Sequence, residues 1–314
     1  MKLVLTTVVR DAADVLDAHL AFHLNAGVDF VIAADPGSAD GTTETLESYA
    51  RAGHLRRISA QGGDVAHASP TEMARLAVAE YGAAWVIPSN ADEFWWPRGE
   101  SLRDVLAVIP PRYRVVQALM RTFAGRRQEG HLFTDDMTVR TSLLGPEGSA
   151  GEPVEHMLRP VYRAEPNMVV DPEDWTLGGR RVPLRAWYPI EVFRFADRAL
   201  DPVDDSRRDD LIADGTLVVD TRLRDVLRNL RDTAGDAGVS SFALPLAGTG
   251  HVTFPVPNIA DDASYAVECA AVGEVDLVRL DAQIRELELR IALLEARFWP
   301  RVQRTVRRLG RRRR

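Results

Sequence analysis

The chain opens on a short apolar run, Leu3 to Val9, rich in β-branched residues and bounded by Lys2 and Arg10-Asp11. Such a run reads as a buried strand. From Asp14 the apolar positions take up helical spacing through Val15, Leu16, Leu20, Phe22 and Leu24, and the pattern stops at Gly27. Asp29 to Ala34 predicts a second strand, ending in the turn cluster Asp35-Pro-Gly-Ser. Asp40 is placed to cap a helix running to Gly53, and His54 to Ile58 can form a third strand. Ser69-Pro-Thr-Glu72 is a capping box with proline at the first helical position, and its helix ends at Gly82. Ala84 to Pro88 predicts a fourth strand that runs straight into Ser-Asn-Ala-Asp-Glu-Phe. Ser101 caps a further helix ended by Pro110-Pro111, and Arg114 to Phe123 reads as a strand.

Strands alternating with helices of this length imply βαβ units, an α/β fold and a mostly parallel sheet. In such a sheet ligands bind beyond the carboxyl ends of the strands. Three predicted strand ends carry polar clusters: Arg10-Asp11, Asp35 with Ser38 and Asp40, and Asn90 with Asp92 and Glu93. One cluster alone is ordinary turn chemistry, but three along one rim point to a binding edge. Behind the third, Phe94-Trp95-Trp96 offers indole faces for stacking on a ring or simply for filling the core, and core is expected for at least one tryptophan. The Gly- and Pro-rich stretch 145–183 reads as acceptor-side loops, and Arg207-Arg208-Asp209-Asp210 as a solvated face.

Composition removes several classes. With 314 residues, 46% of them hydrophobic, the chain can bury a substantial core, and the lone Cys269 excludes an intrachain disulfide or a cysteine zinc site. The net charge of −7 argues against nucleic acid as a partner. That total divides into −16 over residues 1–296 and nine arginines with no acid over 297–314. No stretch nears the roughly 20 apolar residues of a spanning helix, and no signal peptide is legible, so a cytoplasmic location is expected. No Gly-rich phosphate loop follows the first strand, and no G-x-S-x-G nucleophile turn occurs. His19 and His23 lie four apart on one helix but lack the intervening glutamate of a zinc protease, which favours a structural pair.

A carboxylate cluster after a buried strand suits a hard divalent cation, manganese or magnesium, bridging a diphosphate. Arg10-Asp11, the stretch His23 to Asp29, the Asp35-x-x-Ser38-x-Asp40-Gly-Thr turn and Asn90-Ala-Asp92-Glu93-Phe94 occur in that order. Together they resemble a family 2-like glycosyltransferase of the GT-A fold, whose signature reads D-x-D-E-F, over roughly residues 1–230. Trp187 to Phe195 resembles the segment that in these enzymes often ends in a His-Phe pair. The resemblance implies that Arg10, Asp11, Asp35, Asn90, Asp92, Glu93, Arg194 and Arg198 face a nucleotide-sugar donor, with Asp92 on the metal. Two positions depart from the pattern: Asn90 replaces an aspartate and Arg194 a histidine. Neither amide nor guanidinium supplies the missing charge or ligand, so the metal site is weakened or replaced by arginines, or the copy is degenerate. The base that an inverting transfer requires is assigned to Glu191, with Glu155, Asp171 and Asp174 as alternatives. The implied reaction is sugar transfer to a glycan, lipid-linked or small-molecule hydroxyl. The rivals are a non-catalytic binding protein of the same fold and a sugar nucleotidyltransferase.

Past a loop-rich connection with a short apolar helix at 231–273, residues 274–298 carry Leu277, Leu280, Ile284, Leu287, Ile291, Leu294 and Phe298 at alternating spacings of three and four. That seam forms either a homodimer coiled coil or a helix packed back on the catalytic domain. The arginine-rich tail, 299–314, suits anionic lipid at the inner face of a membrane or else a solvated end.

Overall fold

A computed structural model describes residues 1–59, 69–98, 101–109, 111, 113–123, 138–142, 158–170, 189–195 and 205–234. Among these, ten strands join one sheet: β1 (Leu3–Val8), β2 (Phe30–Asp35), β3 (Leu55–Ser59), β4 (Trp85–Pro88), β5 (Glu93–Pro97), β6 (Val115–Phe123), β7 (Val139–Thr141), β8 (Leu158–Arg163), β9 (Ile190–Phe195) and β10 (Leu217–Val219). Six helices accompany them: α1 (Ala13–Asn25), α2 (Thr42–Arg51), α3 (Pro70–Tyr81), α4 (Leu102–Ala107), α5 (Asp205–Ala213) and α6 (Arg222–Ala234).

The sheet has two halves of different character. β4, β1, β2 and β3 run side by side and parallel, as the alternation of strands and helices implies. Beyond β4 the pairing turns antiparallel through β8, β6, β7 and β10. β5 and β9 form an antiparallel ribbon, and β9 runs parallel to β6. The loop region expected over 145–183 therefore contains a central strand, β8, wedged between β4 and β6.

β1 is buried on both faces, which is why its sequence is nearly continuous in apolar residues rather than alternating. Its side chains still divide by pleat: Leu3 and Leu5 join the core packed under α1, α2, α4 and α6, while Val4 joins the smaller core under α3. Trp95 and Trp96 are both fully buried, so both belong to the core, and truncating either to alanine costs about 3–5 kcal/mol.

Helix starts follow the side chains expected to cap them, with one exchange. Ser69 accepts the Glu72 N–H and Ser101 accepts the Asp104 N–H. Gly82 closes α3 in the left-handed conformation, φ 63°, which costs an L side chain energy and glycine nothing. Asp40 does not sit at the N-cap of α2, where Gly41 does. Its carboxylate instead accepts from Thr42 and from the Ala13 N–H at the start of α1. One aspartate thus satisfies exposed donors of two helices, fixing the turns after β1 and β2 against each other. No helix among the described residues is long and apolar enough to cross a membrane.

Candidate functional site

Because β1, β2 and β4 are parallel, their carboxyl ends share one edge, and the three polar clusters lie along it. The first two are locked together. Asp11 adopts φ +49°, a conformation most side chains avoid but aspartate tolerates. Its N–H donates to Ser38 Oγ at 3.0 Å, and its Oδ1 accepts the Ala39 N–H at 2.9 Å. Arg10 stands 3.6 Å from Asp11 Oδ2 at an exposed position. Asp35, by contrast, is buried and largely consumed by its own turn. Its Oδ1 accepts from the Gly37 N–H, the Ser38 N–H and Ser38 Oγ, and its Oδ2 from Thr43 Oγ1 at 2.6 Å. Burial pushes the Asp35 carboxyl up, but the hydrogen bonds from Thr43, Ser38 and Gly37 outweigh it and hold the group below its ordinary range. Its first task is to shape the loop.

The third cluster follows β4. Asn90 is exposed, while Glu93, the first residue of β5, is buried. Glu93 accepts the Asn90 N–H at 3.0 Å and the Asn90 amide at 3.3 Å, and its Oε1 also accepts Arg159 Nε from β8 at 2.9 Å. Asp92 stays at the rim with Arg194 of β9: Nε lies 3.4 Å from Oδ2, and the side chains are 36% and 32% exposed. The β5–β9 ladder sets Arg194 opposite Glu93, and the Phe195 N–H donates to the Asp92 carbonyl at 2.8 Å.

Beside this cluster lies a cleft of about 300 Å³. Thr6, Thr7, Ser89, Asn90, Glu93 and Arg159 supply its polar lining, and Met73 of α3 is among its apolar residues. Thr6 and Thr7 are each 2% exposed, and neither hydroxyl has a hydrogen-bond partner. Unsatisfied buried hydroxyls cost free energy unless something else supplies the partner. Sequence reading passed over both threonines, although two hydroxyls in an otherwise apolar central strand are a legible signal. Arg159 left none, since it reaches Glu93 from 66 residues away.

The carboxylates, as arranged, do not fit a resident divalent cation. A hard cation needs oxygen ligands with uncompensated charge. Asp92 faces Arg194, Glu93 is held by Arg159 and Asn90, and Asp35 accepts four hydrogen bonds. Among the described residues no three His, Cys, Asp or Glu side chains converge as a cation would require.

Glu191 corrects the expectation of a catalytic base. It is fully buried on β9, where its Oε1 accepts Arg98 Nη2 at 3.1 Å and Arg121 Nε at 3.0 Å, and its Oε2 accepts Arg222 Nη1 at 2.9 Å. Burial alone pushes this carboxyl up, yet the charges of Arg98, Arg222 and Arg121 together hold it well below its ordinary range. A carboxylate so depressed and so enclosed does not take a proton from an acceptor hydroxyl. Its network continues through Arg222 to Asp220, which also accepts Arg140 Nε at 3.0 Å. The cluster ties the start of α6 to β6, β7, β9 and Arg98, the residue that follows β5. Arg198, Glu155, Asp171 and Asp174 lie outside the described residues, as do the heptad segment and the arginine tail.

The two histidines of α1 are structural supports of the rim. His23 Nδ1 lies 2.7 Å from the His19 carbonyl, and His23 Nε2 receives the Trp95 N–H at 3.1 Å. A carbonyl can only accept and an N–H only donate, so His23 is the neutral Nδ1–H tautomer. His19 Nε2 meets Ser89 Oγ at 3.2 Å, and that hydroxyl also accepts Trp95 Nε1–H at 3.0 Å. Burial lowers His23 to about 3, only partly offset by its bond to the His19 backbone. Burial and the neighbouring His23 likewise hold His19 well below its ordinary value.

No family model and no curated protein matches the chain. Among solved structures, it is similar to S. aureus TarS 1–349, at 17% identity and TM-score 0.35, over 52% of this chain and 47% of that one. It is also similar to glucosyl-3-phosphoglycerate synthase from Mycobacterium tuberculosis in complex with Mn2+, UDP and glucosyl-3-phosphoglycerate, at 15% identity and TM-score 0.28. That match covers 38% of this chain and 44% of that one. A third, 4-diphosphocytidyl-2C-methyl-D-erythritol synthase, matches at 12% identity and TM-score 0.31 over 68% of this chain and 96% of that one. The matched part spans less than half of the first two of these chains. At these TM-scores the likeness fixes no reaction, donor or acceptor.

Proposed function

We propose that the chain is a GT-A-type glycosyltransferase that seats a nucleotide-sugar donor on the carboxyl edge of its parallel half-sheet. The observation that carries this reading is the cleft beside Asn90 and Glu93, lined by Thr6 and Thr7 near the end of β1, Ser89 after β4 and Arg159 of β8. Polar residues and a guanidinium at a strand end suit the oxygens of a diphosphate and a sugar, and the turn built by Asp11, Ser38 and Asp35 lies along the same edge of the sheet. In an inverting transfer the acceptor oxygen attacks the anomeric carbon, the carbon–oxygen bond to the diphosphate breaks, and the nucleoside diphosphate leaves with the electron pair. The acceptor proton passes to a base, and that base is not Glu191. The acceptor is a glycan, lipid-linked or small-molecule hydroxyl. The setting proposed is cytoplasmic, with the arginine tail touching anionic lipid and the heptad segment pairing two copies.

A second reading, a donor-binding protein without turnover, is favoured by the engagement of Asp92, Glu93 and Glu191 in ion pairs. Nucleotidyl transfer is disfavoured because Arg10-Asp-Ala-Ala-Asp after β1 lacks a glycine-rich basic loop. A panel of nucleotide sugars scored by thermal shift, followed by assay of donor hydrolysis, tests the proposal. Stabilisation with hydrolysis supports the enzyme, and stabilisation alone supports the second reading. Silence toward every donor refutes both.

A further inference from the structure

We infer that this chain neutralises the donor diphosphate with guanidinium groups, Arg194 at the rim and Arg159 in the cleft, and without a divalent cation. The inference rests on the donor reading above and deepens it. Its starting point is the charge arrangement: each carboxylate of the third cluster already has a cationic partner, Asp92 with Arg194 and Glu93 with Arg159. In each pair the carboxylate charge is already compensated, so it offers a dication little, while guanidinium N–H groups not turned to the carboxylate can still donate hydrogen bonds to phosphate oxygens.

The geometry of Arg194 suits that task. Only its Nε engages Asp92, at 3.4 Å, longer than the roughly 2.7–2.9 Å of a tight charge-assisted bond. The Nη groups at the end of the fork are left for phosphate oxygens, and a third of the side chain is open to solvent. Asp92 then acts as a positioning residue that aims the guanidinium, and the β5–β9 ladder holds the two backbones together. Glu93 does the same for the second arginine. Its oxygens take Arg159 Nε, the Asn90 amide and the Asn90 N–H, so it orients cleft groups and is not free to ligate a metal. The third observation is independent of the acidic cluster: Thr6, on the face of β1 that Val4 also occupies, is among the residues lining the same cleft, and its buried hydroxyl has no partner, which leaves a neutral donor beside the cleft.

The test is calorimetry of the full chain with UDP, GDP, CDP, ADP and dTDP, each in EDTA and again in excess manganese chloride. The diphosphate that binds should do so with dissociation constants agreeing within about threefold in the two buffers. Arg194→Gln should weaken binding in EDTA by at least about tenfold, and Arg194→Lys, which keeps the charge but loses the fork, by less. Binding that appears only with manganese overturns the inference and leaves the donor reading standing. So does an Arg194→Gln chain that folds, by its melting curve, and binds like the wild type in EDTA. If no diphosphate binds in either buffer, the donor reading itself falls. The two-buffer comparison needs no variant, so it decides the matter even if a substituted chain fails to fold.

Discussion

Replacing Glu191 by glutamine separates a structural carboxylate from a catalytic one. The substitution keeps shape and one acceptor oxygen but removes the negative charge on which Arg98, Arg121 and Arg222 converge. Glu191 and Arg121 are fully buried, and the other two arginines nearly so, which leaves water little room to compensate. Removing one partner of a buried pair costs about 3–5 kcal/mol because the remaining charge stays desolvated. With a urea slope near 3 kcal/mol/M, the midpoint should fall by about 1–2 M. Trp96, opposite Glu191 on the β5–β9 ladder, makes intrinsic fluorescence a local reporter. The acid limb carries a second signature. The folded-state value of Glu191 lies well below its ordinary 4.5, so its stabilisation is present above about that pH and is lost as pH falls toward the folded value. Wild type and Glu191→Gln should therefore differ most near neutrality and converge in acid. A midpoint shift under about 0.3 M would refute this account, most decisively if donor turnover also collapsed, since that pair of results describes a base.

Asp92→Asn removes the charge from an ion pair a third exposed, so it should cost no more than about 1 kcal/mol by urea midpoint; a larger loss would mean Asp92 is a hidden support. Thr6→Val should leave stability unchanged or slightly raised, because it deletes a hydroxyl with no partner, while calorimetry shows nucleoside diphosphate affinity falling by about five- to tenfold. Unaltered affinity would remove Thr6 from the donor cleft. His23 is neutral and lowered to about 3, so between its ordinary 6.5 and that value only the unfolded chain gains the proton, and stability drops as pH falls. His23→Gln should flatten that slope in urea midpoints taken across the window, and an undiminished slope would contradict the buried neutral tautomer. Deleting residues 299–314 should weaken sedimentation with anionic liposomes and leave donor hydrolysis in solution unchanged; liposome binding that persists would exclude the tail as an anchor.

The parallel half of the sheet was legible because its signals are local. Caps at Ser69 and Ser101, the stop at Gly82 and the apolar runs of β1, β2 and β4 each declare themselves within a few residues. The antiparallel half was less so. Glu93 to Pro97 reads as the tail of a polar loop with aromatics behind it, but it becomes a strand because β9, about 100 residues later, offers a partner. Glu191 was misassigned for the same physical reason. Its three arginines lie 93, 70 and 31 residues away, and nothing in its neighbourhood along the chain announces them. The edge of the site followed from topology, since parallel strands must end together. Which oxygens on that edge are spoken for did not follow, because Asp35 looks the same in sequence whether its carboxylate meets a ligand or its own turn.

The His23 bond to the Trp95 backbone and the shared Ser89 hydroxyl bolt the Asn90–Glu93 loop to α1 from the inside, while Asp92 and Arg194 face out from it. Evolvability is therefore divided unevenly around this loop. Substitutions at the outer pair trade one weak surface contact for another and cross a nearly flat landscape, whereas those at the inner supports face a steep one. A lineage can exchange one way of handling phosphate for another at the rim, one residue at a time, without passing through an unfolded intermediate. A library randomised at Asn90, Asp92 and Arg194 alone should consequently yield a high fraction of folded chains with diverse anion preferences.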